Sequence, residues 1–199
     1  ISVNINDAFM RAVENDEEYE LYFKVEASGE EVRKPVRAKE LFRKLARNNW
    51  RMAEPGILYQ DQINAWHLMS EDPKFAYAGV NPCAEEPLPA FGSCNLSSIN
   101  LGEFVQRPFT DEARLDEERL RRMVREGVVY LNEILDENMK LHPLPQQRDM
   151  SKRLRQIGLG LMGAADMFIK MGIRYGSDES VELIHYIGHL LINEALKES

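Results

Sequence analysis

The sequence predicts a mixed α/β fold that becomes helix-rich in its second half. Three observations carry this. Apolar and polar residues alternate at period two in parts of residues 1–36. After Thr110 the apolar residues fall instead at three-four spacing. Between residues 70 and 109, proline and glycine break up regular structure. Period two marks a half-buried strand, and three-four spacing marks one face of a helix.

Ile1, Val3 and Ile5 alternate with polar residues and predict a short strand. Asn6 or Asp7 caps a helix over Ala8–Val13. Tyr19, Leu21, Phe23 and Val25 predict a strand within Glu18–Ala27, Gly29 turns the chain, and Val32–Val36 pairs back as a hairpin. From Ala38, a helix runs through Leu41, Phe42, Leu45, Trp50 and Met52 and stops by Pro55-Gly56. Ile57–Tyr59 is a short apolar strand or turn, and a brief helix follows near Asp61–Leu68. Residues 70–109 hold Pro73, Pro82, Pro87, Pro89 and Pro108 with Gly79, Gly92 and Gly102, which predicts loops and short strands, one at Leu96–Asn100. A long loop inside a folded domain is usually functional. Leu120, Met123, Val124, Val128, Leu131 and Leu135 line one helix that ends before His142-Pro143. Arg155–Met171 reads as a second helix, rich in Gly and Ala. Ser177 caps a third, with Asp178 and Glu179 in its first turn and an inner face of Val181, Ile184, His185, Gly188, Leu191, Ile192 and Ala195.

Composition narrows the function. The 199 residues suit one domain with a real core. Lys and Arg total 25 against 33 Asp and Glu, a net charge of −8. That balance argues against a nucleic-acid polymer or an anionic membrane as partner. No apolar run approaches the ~20 residues of a membrane-spanning helix. Asn4, Asn6, Asp7 and Arg11 make Ile1–Val13 unlike a secretory leader. The chain opens on Ile1 rather than Met, as a piece of a longer protein would. Two cysteines are too few for a disulfide scaffold.

Several motifs have ordinary explanations. Gly158-Leu159-Gly160-Leu161-Met162-Gly163 fits the dinucleotide pattern G-x-G-x-x-G, but Lys152, Arg153 and Arg155 precede it where a buried strand would be needed. Close packing of a helix explains those glycines more simply. His185 and His189 share i, i+4 spacing without the Glu of a zincin motif, so a surface or structural role is expected and no metal site. The acidic run Asp111–Glu118 reads as a solvated helix start.

The cysteines differ. In Asn81-Pro82-Cys83-Ala84-Glu85-Glu86-Pro87-Leu88, an amide and a carboxylate flank a thiol at two residues on either side. In an extended segment all three would face one side. They would then join a nucleophile or radical centre, a general base and an orienting amide. Eleven residues after Cys83 comes Cys94, in Ser93-Cys94-Asn95-Leu96, and a second thiol suggests redox exchange. Burial as two small hydrophobes explains free cysteines equally well, and spacing leaves both readings open.

Asn81-Pro82-Cys83-Ala84-Glu85 followed by Ser93-Cys94-Asn95-Leu96-Ser97-Ser98-Ile99-Asn100-Leu101 resembles the active-site segment of the ribonucleotide reductase large chain. Glu54–Asn64 and Arg155–Asp166 resemble stretches before and after it, so the resemblance runs from about Ile1 to the chain's end. It implies part of a ten-stranded α/β barrel over residues 1–199. A finger loop would lie at about 79–92 and a helical segment at about 112–199.

By resemblance, Cys83 matches the thiyl radical that abstracts the 3′-hydrogen of the ribonucleotide. Glu85 matches the base for the 3′-hydroxyl, and Asn81 the amide that bonds the ribose hydroxyls. Cys94 matches one of the redox-active cysteines, and Ser93 falls among the substrate-binding positions. Asn-Pro-Cys with Pro87-Leu88 resembles the adenosylcobalamin-dependent class, although Glu86 stands where that class carries Gln. The implied partners are a ribonucleotide substrate, a dithiol reductant such as thioredoxin, the rest of the reductase chain and a second copy in a homodimer. The implied location is cytoplasmic, and the isolated chain is expected to be inactive. Two alternatives are a reductase of the di-metal class with a separate radical subunit, and a non-catalytic or dithiol redox module using Cys83 and Cys94 as a pair.

Overall fold

The computed structural model describes residues 1–199, and the chain divides into two units, Ile1–Ala90 and Phe91–Ser199. In the first unit, strand β1 (Ser2–Ile5) leads into helix α1 (Asp7–Glu14). Asn6 caps that helix by accepting the Phe9 N–H at 2.8 Å. Strands β2 (Glu18–Lys24) and β3 (Glu31–Arg37) form the expected hairpin, with Tyr19 opposite Val36 and Phe23 opposite Val32. Helix α2 (Ala38–Met52) carries the chain back to β4 (Gly56–Tyr59), which pairs parallel with β1. Ile5, Phe9, Ala12 and Ala38 are the buried core here, and Tyr19, Leu41, Phe42 and Ile57 pack on them. Phe9 meets Tyr19 edge to face at 5.2 Å, the arrangement the ring quadrupoles favour. Helix α3 (Gln60–Ala65) is shorter than Asp61–Leu68. Strands β5 (Tyr77–Val80) and β6 (Pro87–Pro89) then make a small antiparallel hairpin.

The second unit is built on two parallel strands, β7 (Asn95–Asn100) and β10 (Ile157–Met162), in register Asn95↔Ile157 to Asn100↔Met162. Between them in sequence come the short pair β8 (Val105–Gln106) and β9 (Arg114–Leu115) and the helices α4 (Glu117–Leu141) and α5 (Pro145–Leu154). After β10 come α6 (Ala164–Met171) and α7 (Asp178–Glu198). Asp116 and Ser177 cap α4 and α7 through their side chains. Ile99, Leu101, Phe104, Leu120, Val124, Met167, Phe168, Ile187 and Leu190 form the core, with Leu159 and Leu161 packed against it.

Several expectations change. Arg155–Met171 is not one helix: Ile157–Met162 is strand β10, and only Ala164–Met171 is helical. Ile157, Leu159 and Leu161 alternate with Gly158 and Gly160, and pairing with β7 outweighs the helical reading. Glycine serves close approach here. A Cβ on Gly127 of α4 would lie 3.2 Å from the Leu159 side chain. Gly163, at φ +70°, ends the strand where any Cβ would collide with Asn100 Oδ1. The first two glycines of the G-x-G-x-x-G match therefore lie inside a strand instead of following one, which removes the dinucleotide geometry.

Helix α5 has no counterpart in the sequence reading, although Pro145 stands at its first position, where a missing N–H costs nothing. On α7 the buried residues are Ser180, Ile187, Leu190 and Glu194, whereas Val181 and Ile192 are exposed. The rotation of α7 agrees with an ionic clasp. The Glu194 carboxylate, 1% exposed, accepts from Arg121 Nη1 and Lys197 Nζ at 2.9 Å each and pairs with Arg125. The Lys197 and Arg125 hydrogen bonds hold its carboxyl down at about 2. The chain shows no closed barrel: its ten strands form five two-stranded sheets, two of them parallel. No helix is long and apolar enough to cross a membrane.

Candidate active site

The cysteine segment lies within the β5–β6 hairpin. Asn81–Glu86 is its connection, and it is not extended, so the alternation that would align Asn81, Cys83 and Glu85 does not apply. Three bonds close it. Ala84 N–H donates to the Asn81 carbonyl at 3.0 Å, and Asn81 N–H donates to the Glu86 carbonyl at 3.2 Å. The Glu86 N–H also donates to Asn81 Oδ1 at 3.0 Å. Pro82 fits the first central turn position because its ring fixes φ. Ala84 adopts φ +68°, a left-handed conformation that costs a non-glycine residue ~1–2 kcal/mol.

The result places Cys83 at the tip of a cross-braced turn, with its thiol exposed. Glu85 is exposed too, and Asn81 is half-buried at the base. The Asn81 amide is thus divided: its oxygen is committed to the turn, and its NH₂ group remains a donor for a ligand. Sequence reasoning missed the structural half of this role. The signal was the Asn-Pro dipeptide, a frequent turn initiator.

Cys94 lies in the second unit, one step before β7, and is half-buried. Its thiol reaches the Asn95 carbonyl at 3.8 Å. The two faces of the β7–β10 pair differ. Ile99, Leu159 and Leu161 pack toward the helical core. The alternate positions are Leu96, Ser98, Gly158, Gly160 and Met162, with Leu96 and Met162 more than half exposed. Continuing the alternation back from Leu96 puts Cys94 on this second face, one step before the paired register begins.

Ser93 is tied to buried Ser151 of α5 through a 3.0 Å hydroxyl–hydroxyl bond. The start of β10 is held from α4: Arg155 donates to Asn132 Oδ1 at 3.0 Å and to Asp136 at 2.7 Å. That guanidinium lowers the Asp136 pKa. Neither Ser151 nor Arg155 carried a sequence signal for these contacts. No group of three or more His, Cys, Asp or Glu side chains is placed to hold a metal ion.

Similarity to known proteins shows the family of the chain. The family model for the ribonucleotide reductase barrel domain matches residues 1–199, and the chain belongs to that family. Among its relatives are proteins named vitamin B12-dependent. The ribonucleoside-diphosphate reductase of Thermoplasma acidophilum is 33% identical over 199 residues, covering 100% of this chain and 24% of the relative. The ribonucleotide reductase of Streptomyces coelicolor is 32% identical over 200 residues, 100% of this chain and 20% of the relative. The ribonucleoside-diphosphate reductase of Mycobacterium tuberculosis is 32% identical over 183 residues, 92% of this chain and 25% of the relative. The chain therefore spans about a quarter or less of these relatives.

Proposed function

We propose that this chain is the central part of the catalytic barrel of an adenosylcobalamin-dependent ribonucleotide reductase. The carrying observation is the braced Asn81–Glu86 turn, which bears a thiol at its tip and a family-matching amide and carboxylate two residues to either side. In the longer protein the two parallel strand pairs take their places in a ten-stranded barrel, and the 79–92 loop is its finger. Enclosure there shields a reactive sulfur from water and stray reductants.

The chemistry follows from the residues. Cys83, once its S–H hydrogen has been removed, takes the 3′-hydrogen of the ribose and re-forms an S–H bond. Glu85 accepts the 3′-hydroxyl proton, which requires an approach of ~2.6–3.2 Å. The Asn81 NH₂ group donates to a ribose hydroxyl and orients the ring, and Ser93 lines the substrate side. The 2′-hydroxyl departs as water. Cys94 and a second cysteine supply two electrons and two protons and are left as a disulfide. The 3′-hydrogen then returns from Cys83 to the sugar, Glu85 gives its proton back to the 3′-oxygen, and the sulfur radical is regenerated. A dithiol such as thioredoxin reduces the disulfide, so the sum is ribonucleotide plus dithiol to deoxyribonucleotide, disulfide and water.

Adenosylcobalamin, when bound, supplies the radical that starts the cycle. The cavities of this chain include ones of 320 and 470 Å³, too small for a corrin and its adenosyl group. Its housing is assigned to the remainder of the longer protein, as are the second cysteine and the phosphate contacts. A homodimer in the cytoplasm is the assembly this reading expects, and the 199-residue chain alone does not turn over. The test is reduction of a ribonucleoside diphosphate by the complete enzyme with adenosylcobalamin and dithiol, without a second subunit. Activity supports the reading. A requirement for a separate radical subunit overturns it in favour of the di-metal class.

A further inference from the structure

We propose that His185 and His189 form a two-imidazole chelating site for a divalent transition-metal ion of the copper or nickel type. They lie one helical turn apart on α7, at i and i+4, and share a face. Their Nε2 atoms are 3.0 Å apart, and their ring planes are within 13° at a centroid distance of 4.8 Å. Both side chains are exposed, whereas Ile187, Leu190 and Glu194 are the buried side of the helix.

The donor set carries the choice of ion: imidazole suits copper(II) and nickel(II), which bind nitrogen donors tightly among the divalent ions, and the spacing is compatible with them. Imidazole nitrogen binds such metals at ~2.0–2.1 Å. Two bonds of that length ending on nitrogens 3.0 Å apart meet at roughly 90°. That is the cis angle of square-planar and octahedral ions, the geometries of copper(II) and nickel(II).

Without metal, one Nε2 donates a hydrogen bond to the other. With metal, each ring holds its proton on Nδ1 and turns the Nε2 lone pair to the ion. Water fills the other positions, since no third ligand side chain is grouped with the pair. Asp178, Glu179 and Glu182 lie toward the N-terminus of the same helix, and the chain's net charge is −8. Both favour the approach of a dication.

Calorimetric titration of the full-length protein with nickel(II), which leaves thiols unoxidised, tests this. His185→Ala and His189→Ala should each weaken the site about 100-fold, because loss of either ring removes chelation. Circular dichroism of the metal-free variants should match the parent, as both rings are exposed. Copper(II) electron paramagnetic resonance of thiol-blocked protein should show two equivalent nitrogens, reduced to one in either variant. A variant that keeps the parent's affinity, or a copper spectrum without two nitrogens, overturns the proposal.

Discussion

Replacing Asn81 by Asp separates the two ends of its amide. Oδ1 accepts the Glu86 N–H at 3.0 Å and so braces the turn, while the NH₂ group is left for substrate. Asp keeps the acceptor and strengthens it with charge, so the turn should hold. Leu removes it and leaves the Glu86 N–H without its side-chain partner, at a cost of about 1–3 kcal/mol. The backbone bonds at 3.0 and 3.2 Å persist in both variants. On the substrate side, Asp offers no donor. One oriented hydrogen bond to a hydroxyl lost with an unsatisfied partner is again worth about 1–3 kcal/mol, or roughly 5- to 150-fold in kcat/KM. Thermal melting and initial rates of the complete enzyme measure the two halves separately. Asn81→Asp should keep the parent's melting temperature and lose rate, and Asn81→Leu should lose both. An Asp variant that melts as low as Leu, or that retains full kcat/KM, would refute the division of the amide.

Three further outcomes are expected. Leu131→Ala, at a site 1% exposed on α4, should destabilise the protein by about 2–5 kcal/mol in urea unfolding. The Glu194 carboxyl titrates at about 2 when folded against its ordinary 4.5. Its stabilisation is therefore complete above pH 4.5 and drains away as the pH falls toward 2. The stability gap between the parent and Glu194→Gln should accordingly narrow between pH 6 and pH 3, and a gap that widens contradicts the clasp. Gly163→Ala forces a Cβ against Asn100 Oδ1 at φ +70° and should lower the melting temperature, whereas Gly172→Ala, at φ +72° with open space around it, should cost less.

Much of the fold could be read locally. Asn6 and Ser177 announce their helices because a side-chain oxygen replaces a missing backbone acceptor. The β2–β3 hairpin follows from period two on both sides of Gly29. Strand β10 was misread because its glycines suit close helix packing as well as a strand, and only the partner strand β7 decides between them. The alternation of Ile157, Leu159 and Leu161 was the available clue. The face of α7 was legible in part: Ile184, Leu191 and Ala195 pack against the core as expected, whereas Val181 and Ile192 are exposed and a carboxylate, Glu194, is buried instead. Glu194 is buried with Lys197 three residues on and with Arg121 and Arg125, cations 73 and 69 residues away in sequence that its own helix does not announce. At the site, the residue types were legible as a motif. Their geometry was not, since a turn braced by its own asparagine side chain breaks the period-two rule that a strand would obey.

The account turns on the sulfur of Cys83. A single-turnover experiment with 3′-deuterated ribonucleotide in the complete enzyme tests it directly. Parent and Cys94→Ser should both break the 3′-carbon–deuterium bond, with only Cys94→Ser failing to sustain turnover on a dithiol. Cys83→Ser should leave that bond intact. Cleavage at the 3′-position in Cys83→Ser would contradict the assignment.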